Sequence, residues 1–222
     1  MQILKDIYSD VEIASILGFK GGTALMFFYE LPRFSVDLDF DILDVRKEKG
    51  VYGKIKNILH KYGRIIDEAI KHFGILLVLD YGAGERNLKV EISNRDWDNS
   101  YEIKNLLGIN MKVLNVADMF AHTICALLDR GTVANRDIFD CWFFMKNRTP
   151  INAEIVELRM QMILSDYLQE CIEYLEARSN KGLLDGLGEL TEQKMKTFVR
   201  NDMKEETVSL LRFYKEFPIL KQ

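Results

Sequence analysis

Residues 19–42 read FKGGTALMFFYELPRFSVDLDFDI, and this stretch decides the fold. Its last seven residues, Val36 to Ile42, alternate strictly between apolar and acidic side chains, which predicts a half-buried strand of period 2. That geometry puts Asp37, Asp39 and Asp41 on one face and Val36, Leu38, Phe40 and Ile42 on the other. Ahead of it, Gly21 and Gly22 stand where a short strand or turn passes into a helix over 24–30. Thr23 is expected to N-cap that helix and Pro32 to stop it.

The chemistry follows from the same residues. Glycines at the start of a helix let a phosphate approach the backbone, and the free N–H groups there point toward it. A plain turn explains a glycine pair equally. Neighbouring carboxylates on one strand face repel, and hard oxygen ligands at that spacing suit Mg²⁺ or Mn²⁺. A solvent-facing acidic edge strand is the alternative. Further on, Leu88-Lys89-Val90-Glu91-Ile92 repeats the alternation, with Lys89 and Glu91 sharing one face. If that strand lies beside the acidic one, Glu91 joins Asp37 and Asp39 in a three-carboxylate cluster able to hold two cations.

Working outward, residues 3–17 place apolar side chains at helical spacing, with Gly18 as the stop. Residues 47–61 read as an amphipathic helix. Strands are expected over 64–71, 74–81 and 87–93, the last two joined by the turn Gly82-Ala83-Gly84. A further pair over 101–107 and 110–114 turns at Gly108. From Val116 onward the pattern is helical almost to the end. The fold class is therefore α+β: a small mixed sheet with helices over residues 1–114, then a helical part over 115–222.

Composition narrows the function classes. The 222 residues carry 34 acids against 30 bases, a net charge of −4, which excludes bulk electrostatic attraction to nucleic acid and leaves room for a local basic patch. Basic side chains from Lys194 to Lys215 fall on helices in the last third, where a solvated face accounts for them. Three cysteines, Cys125, Cys141 and Cys171, form no C-x-x-C pair and read as reduced, buried thiols, hence a cytoplasmic setting. The histidines show no zinc spacing. No apolar run is long enough to span a bilayer, and the acidic first ten residues predict no signal peptide. Met26 to Tyr29 and the run Phe139, Trp142, Phe143 and Phe144 are expected in the core.

Lys20-Gly21-Gly22-Thr23-Ala24-Leu25, followed by Leu31-Pro32-Arg33-Phe34-Ser35-Val36-Asp37-Leu38-Asp39-Phe40, resembles the signature of the AbiEii-type nucleotidyltransferase toxins. That family belongs to the DNA polymerase β-like nucleotidyltransferase superfamily. The likeness continues through Leu88 to Ile92, Ala126 to Arg130 and Asn135 to Asp140, and spans residues 18–147. It implies transfer of a nucleotide from a nucleoside triphosphate to an acceptor, with tRNA the acceptor class that fits the family. It also implies a toxin role opposite a cognate antitoxin or in phage defence. Asp37, Asp39 and Glu91 would be the catalytic carboxylates and the ligands of Mg²⁺ or Mn²⁺. Lys20, Gly21, Gly22, Thr23, Arg33 and Ser35 would form the nucleotide side, and Asp137 would be a further catalytic residue.

One departure stands out. The family usually carries a lysine about seven residues before the position of Arg130, and here Thr123 occupies it. Without that point charge, Lys20, Lys89, Lys112 or Arg130 must supply the cation. The competing readings are transfer to a small molecule or a protein, and a nucleotide-binding regulatory module with weakened chemistry.

Overall fold

The structure is a computed structural model that describes residues 1–82, 84, 86–129, 133–187, 190 and 192–221. The expected turn at Ala83 and the charge at Arg130 lie outside the described residues. Chain contacts divide the protein into two units: residues 1–30, 35–96 and 100–114 form the first, and 31–34, 97–99 and 115–222 the second.

The first unit opens with two short helices, α1 (Gln2–Ser9) and α2 (Val11–Ala14), rather than one. Asp10 makes the break: its extended backbone interrupts α1, and its carboxylate caps α2 by accepting from the N–H groups of Glu12 and Ile13. Strand β1 (Leu17–Lys20) follows, so Gly18 is a strand residue and not a helix stop. Helix α3 (Gly21–Tyr29) starts three residues earlier than expected, which moves Thr23 from the cap into the first turn and makes Lys20 the cap residue. Glu30, in the left-handed conformation at φ 60°, ends the helix before Pro32 is reached.

Strands β2 (Leu38–Ile42), β3 (Arg64–Lys71), β4 (Gly74–Asp80), β5 (Leu88–Ser93), β6 (Tyr101–Leu106) and β7 (Ile109–Leu114) complete the sheet, with α4 (Glu48–His60) between β2 and β3. Among the described residues the sheet has seven strands in the order β3-β4-β5-β2-β1-β7-β6. Its pairings are antiparallel except β1 with β7 and β2 with β5, which run parallel. The mixed sheet is as expected; the order places β5 directly beside β2.

One sheet face is apolar. Phe19, Leu38, Phe40, Leu77, Val90 and Ile92 are buried there. Leu4 and Ile7 of α1 and Val51, Ile55 and Leu59 of α4 are buried as well, and Tyr8 of α1 lies 6.3 Å from the Phe40 ring. The residues between them in sequence, Lys20, Asp39, Asp41, Lys89 and Glu91, necessarily share the other face. Met26 to Tyr29, expected in the core, are half-buried.

The second unit is helical: α5 (Val116–Cys125), α6 (Asn135–Lys146), α7 (Ala153–Met160), α8 (Leu164–Ala177), α9 (Gln193–Asn201) and α10 (Met203–Glu216). Its core includes Phe120 stacked on Phe144 at 5.0 Å, with Tyr214 edge-on to Phe120 at 5.7 Å. Phe139, Trp142 and Phe144 are buried as expected, whereas Phe143 is half-buried. Cys125, Cys141 and Cys171 are free and buried, and burial pushes the Cys125 and Cys171 thiols up to about 12. No helix among the described residues is long and apolar enough to cross a membrane.

Candidate active site

The centre of the site is a row across three strands. Lys20 on β1 is the register partner of Asp39 on β2, and Asp39 is the register partner of Glu91 on β5. Register partners present side chains on the same face, so β2 and β5, distant in sequence, bring two carboxylates side by side. Asp37 stands one residue before β2 and acts electrostatically on Asp39. Of the expected carboxylates, Asp39 and Glu91 are thus register partners across β2 and β5, and Asp37 lies just ahead of β2.

The start of α3 closes on this row from above the strand. Gly21 has φ +77°, a conformation that L side chains rarely adopt, and a Cβ there would meet Asp39 Oδ2 at 2.4 Å. Glycine is thus required twice, for the turn and for the close approach of backbone to carboxylate. No side chain caps α3, so its first N–H groups, at Gly21 to Thr23, keep their donors for another acceptor. Thr23 is 2% exposed; its hydroxyl donates to the Asp37 carbonyl at 2.5 Å and lies 3.1 Å from Ser35 Oγ. Thr23 and Ser35 in this arrangement hold the Asp37 backbone against the helix.

The electrostatics are uneven. Burial, with Glu91 and Asp37 adding like-charge repulsion, pushes Asp39 up to about 6 despite the pull of Lys20 and Lys89. Burial works upward on Glu91 too, but the hydrogen bond and charge of Lys89, helped by Lys20 and Lys71, hold it below the usual glutamate value. Glu91 is ion-paired with Lys89 on its own strand. Lys20 pairs with Asp41 at 2.5 Å, and the Tyr101 hydroxyl donates to the other Asp41 oxygen at 2.9 Å. Asp41, expected on the polar face, is there but 2% exposed.

Asp39 and Glu91 are the residues of this row that could hold a divalent cation. The donor set is all oxygen, which is what Mg²⁺ and Mn²⁺ take, and Asp39 is a half-buried carboxyl in conflict with its neighbours. With Glu91 turned to Lys89, no three Asp, Glu, His or Cys side chains among the described residues converge to hold an ion.

Two expected site residues belong to the second unit. Arg33 is 6% exposed and grips Asp140 with two bonds, Nε to Oδ1 at 2.6 Å and Nη2 to Oδ2 at 2.5 Å. That fork fastens residues 31–34 onto α6. Asp137, 7% exposed, lies on α6 with Arg136 Nε 3.9 Å away. Of the alternative cations, Lys112 is spent on the Ser15 carbonyl at 2.6 Å. Thr123 is half-buried and bonds back to the Met119 carbonyl at 2.8 Å, a contact within its own helix. Sequence reasoning missed Asp41 and Tyr101. Asp41 was visible as the third acid of the alternation; Tyr101, sixty residues away on another strand, carried no signal.

A family model described as the nucleotidyl transferase AbiEii toxin of type IV toxin–antitoxin systems matches residues 2–216. No curated protein matches the sequence. Among solved structures, a Helicobacter pylori protein described as a nucleotidyltransferase is 21% identical, with 98% of this chain and 93% of that one covered and a TM-score of 0.62. The Helicobacter pylori protein JHP933 is likewise 21% identical, with 98% and 90% covered and a TM-score of 0.61. At that identity the two structures speak for the fold. The family match runs across both units, and the chain belongs to the AbiEii nucleotidyl transferase toxin family.

Proposed function

We propose that the first unit carries out a metal-dependent transfer of a nucleotide from a nucleoside triphosphate to an RNA acceptor, with tRNA the acceptor class, as the toxin partner of a cognate antitoxin. One observation carries the reading: the Asp39–Glu91 register pair lies beside Gly21, where any Cβ would collide with the Asp39 carboxylate. Carboxylates beside phosphate-accepting N–H groups are what an incoming triphosphate and its counter-cations need together.

In the reaction, the acceptor hydroxyl oxygen attacks the α-phosphorus, and the bond from that phosphorus to the oxygen bridging to the β-phosphate breaks. Pyrophosphate leaves with the bonding electron pair, and the hydroxyl proton passes to solvent or a base. Asp37 and Asp39, with Glu91, would hold Mg²⁺ or Mn²⁺. Such an ion supplies charge neutralisation for the triphosphate and lowers the barrier to hydroxyl attack. The N–H groups of Gly21, Gly22 and Thr23 would bind phosphate oxygens, while the buried Thr23 hydroxyl, beside Ser35, keeps Asp37 in place. Glu91, held low by Lys89, is better suited to ligation than to accepting a proton. With Thr123 neutral, Lys20 and Lys89 carry the cationic load on the sheet face.

The test is incubation with each α-labelled nucleoside triphosphate, Mg²⁺ and total cellular RNA. Label should enter RNA with the native protein and fail to do so with Asp37→Asn or Asp39→Asn, both still folded. Undiminished transfer by both variants would refute the site. Label entering protein or a small molecule instead would keep the site and replace the acceptor.

A further inference from the structure

We infer that Asp41 and Tyr101 are positioning residues for nucleotide transfer, acting as a clamp that fixes the Lys20 ammonium beside the Asp39–Glu91 pair. The inference rests on the reading of the site given above and assigns roles to two residues that the motif does not contain.

Lys20 alone is a poor fixed charge. Its ammonium sits at the end of a flexible four-carbon stem, and one quarter of the side chain is exposed. What holds it is a carboxylate that is itself unable to move. Asp41 has a side chain 3% exposed and both oxygens engaged, Oδ1 by Lys20 Nζ at 2.5 Å and Oδ2 by the Tyr101 hydroxyl at 2.9 Å. The ammonium is thereby kept on the row it neighbours, since Lys20 is the register partner of Asp39, and its charge reaches both Asp39 and Glu91.

The route taken by Tyr101 shows that the clamp is built into the sheet. Tyr101 begins β6, the edge strand, whereas Asp41 lies on β2, with β7 and β1 between them in the strand order. The ring crosses β1 at Gly18, where a Cβ would meet Tyr101 Cε1 at 2.1 Å and Cδ1 at 2.6 Å. Gly18 is not among the residues of positive φ, so its backbone makes no demand for glycine. The demand comes from the ring. Gly18 is also the register partner of Asp41, which sets the empty place directly beside the carboxylate that the hydroxyl must reach.

A pair that merely neutralised a buried acid would change stability and leave substrate handling alone. A clamp on Lys20 has a different signature. Tyr101→Phe removes one hydrogen bond and keeps the ring, so the KM for the nucleoside triphosphate should rise about threefold to tenfold, with kcat changed less than twofold. Gly18→Ala, which unseats the ring, should move KM the same way. In a Lys20→Met background the Tyr101→Phe change should be silent, because the residue through which Tyr101 acts is gone. Binding of a fluorescent methylanthraniloyl nucleoside triphosphate, measured beside transfer, gives the same comparison without turnover.

Equal effects of Tyr101→Phe in the native and Lys20→Met backgrounds would overturn the inference, as would a fall in melting temperature with no change in KM or nucleotide affinity. A native protein whose transfer and nucleotide affinity ignore Lys20→Met would overturn the clamp and leave the transferase site standing. A native protein that neither binds nor transfers any nucleotide would refute both.

Discussion

The two units treat buried acid differently. In the helical unit, Asp140 is forked by Arg33, and Asp118, fully buried, accepts from Lys221 and Asn152 at 2.7 Å each. In the sheet unit, Asp39 is set among Asp37 and Glu91 and pushed up to about 6, with its register partner Lys20 ion-paired to Asp41. The first arrangement is charge matched for structure. The second leaves negative charge over, which is what the proposed cation site requires.

Breaking the matched side should cost most. Arg33→Ala leaves the Asp140 carboxylate buried without its fork and should lower stability by about 3–5 kcal/mol, read from urea unfolding of the full chain. Replacing the pair together, Arg33→Met with Asp140→Leu, should cost less than half as much, because no orphaned charge remains. A double variant as unstable as the single one would mean that Arg33 does more than match Asp140.

Relieving the conflicted side should have the opposite sign. A carboxyl raised from 3.8 to about 6 stabilises the fold fully below pH 3.8, and that contribution is lost as pH rises through 6. In the absence of divalent cations, Asp39→Asn should therefore be more stable than the native protein at pH 7. The gain should be about 1–2 kcal/mol, allowing for screening of a partly exposed group. The difference should shrink as pH falls toward 4, in melting curves recorded across that range. A destabilised Asp39→Asn at pH 7 would show that the row is matched after all.

The smallest effect concerns the support beneath the row. Thr23→Val keeps the shape and removes the hydroxyl that holds the Asp37 carbonyl, at a cost of about 1 kcal/mol in stability. Transfer should fall more than that loss of folding explains, since Asp37 is what moves. Intact transfer in a destabilised Thr23→Val would make Thr23 structural only.

The same contrast explains what the sequence revealed. Strands β2 and β5 were legible because alternation is a local property, and with it the placing of Asp39 and Asp41 on one face of β2 and of Lys89 and Glu91 on one face of β5. That β2 and β5 are neighbours could not be read from either segment, since pairing depends on the whole strand order. The cap at Asp10 was missed because the apolar spacing of residues 3–17 runs through it; propensity at one residue overrode periodicity. Arg33 was misleading for another reason. It lies inside the resembling motif, yet its side chain turns to Asp140, one hundred and seven residues on, and no local pattern announces such a partner. The Tyr101 clamp escaped for the same reason.

The central claim is that the acidic row of the sheet unit is built for a cation. Melting temperatures of the native protein and Asp39→Asn, each with and without Mg²⁺ or Mn²⁺, test it most directly. The native protein should be stabilised by the ion, by about 2.7 kcal/mol at a hundredfold excess over Kd, while Asp39→Asn should respond weakly or not at all. An equal rise in both proteins, or none in either, would contradict the account.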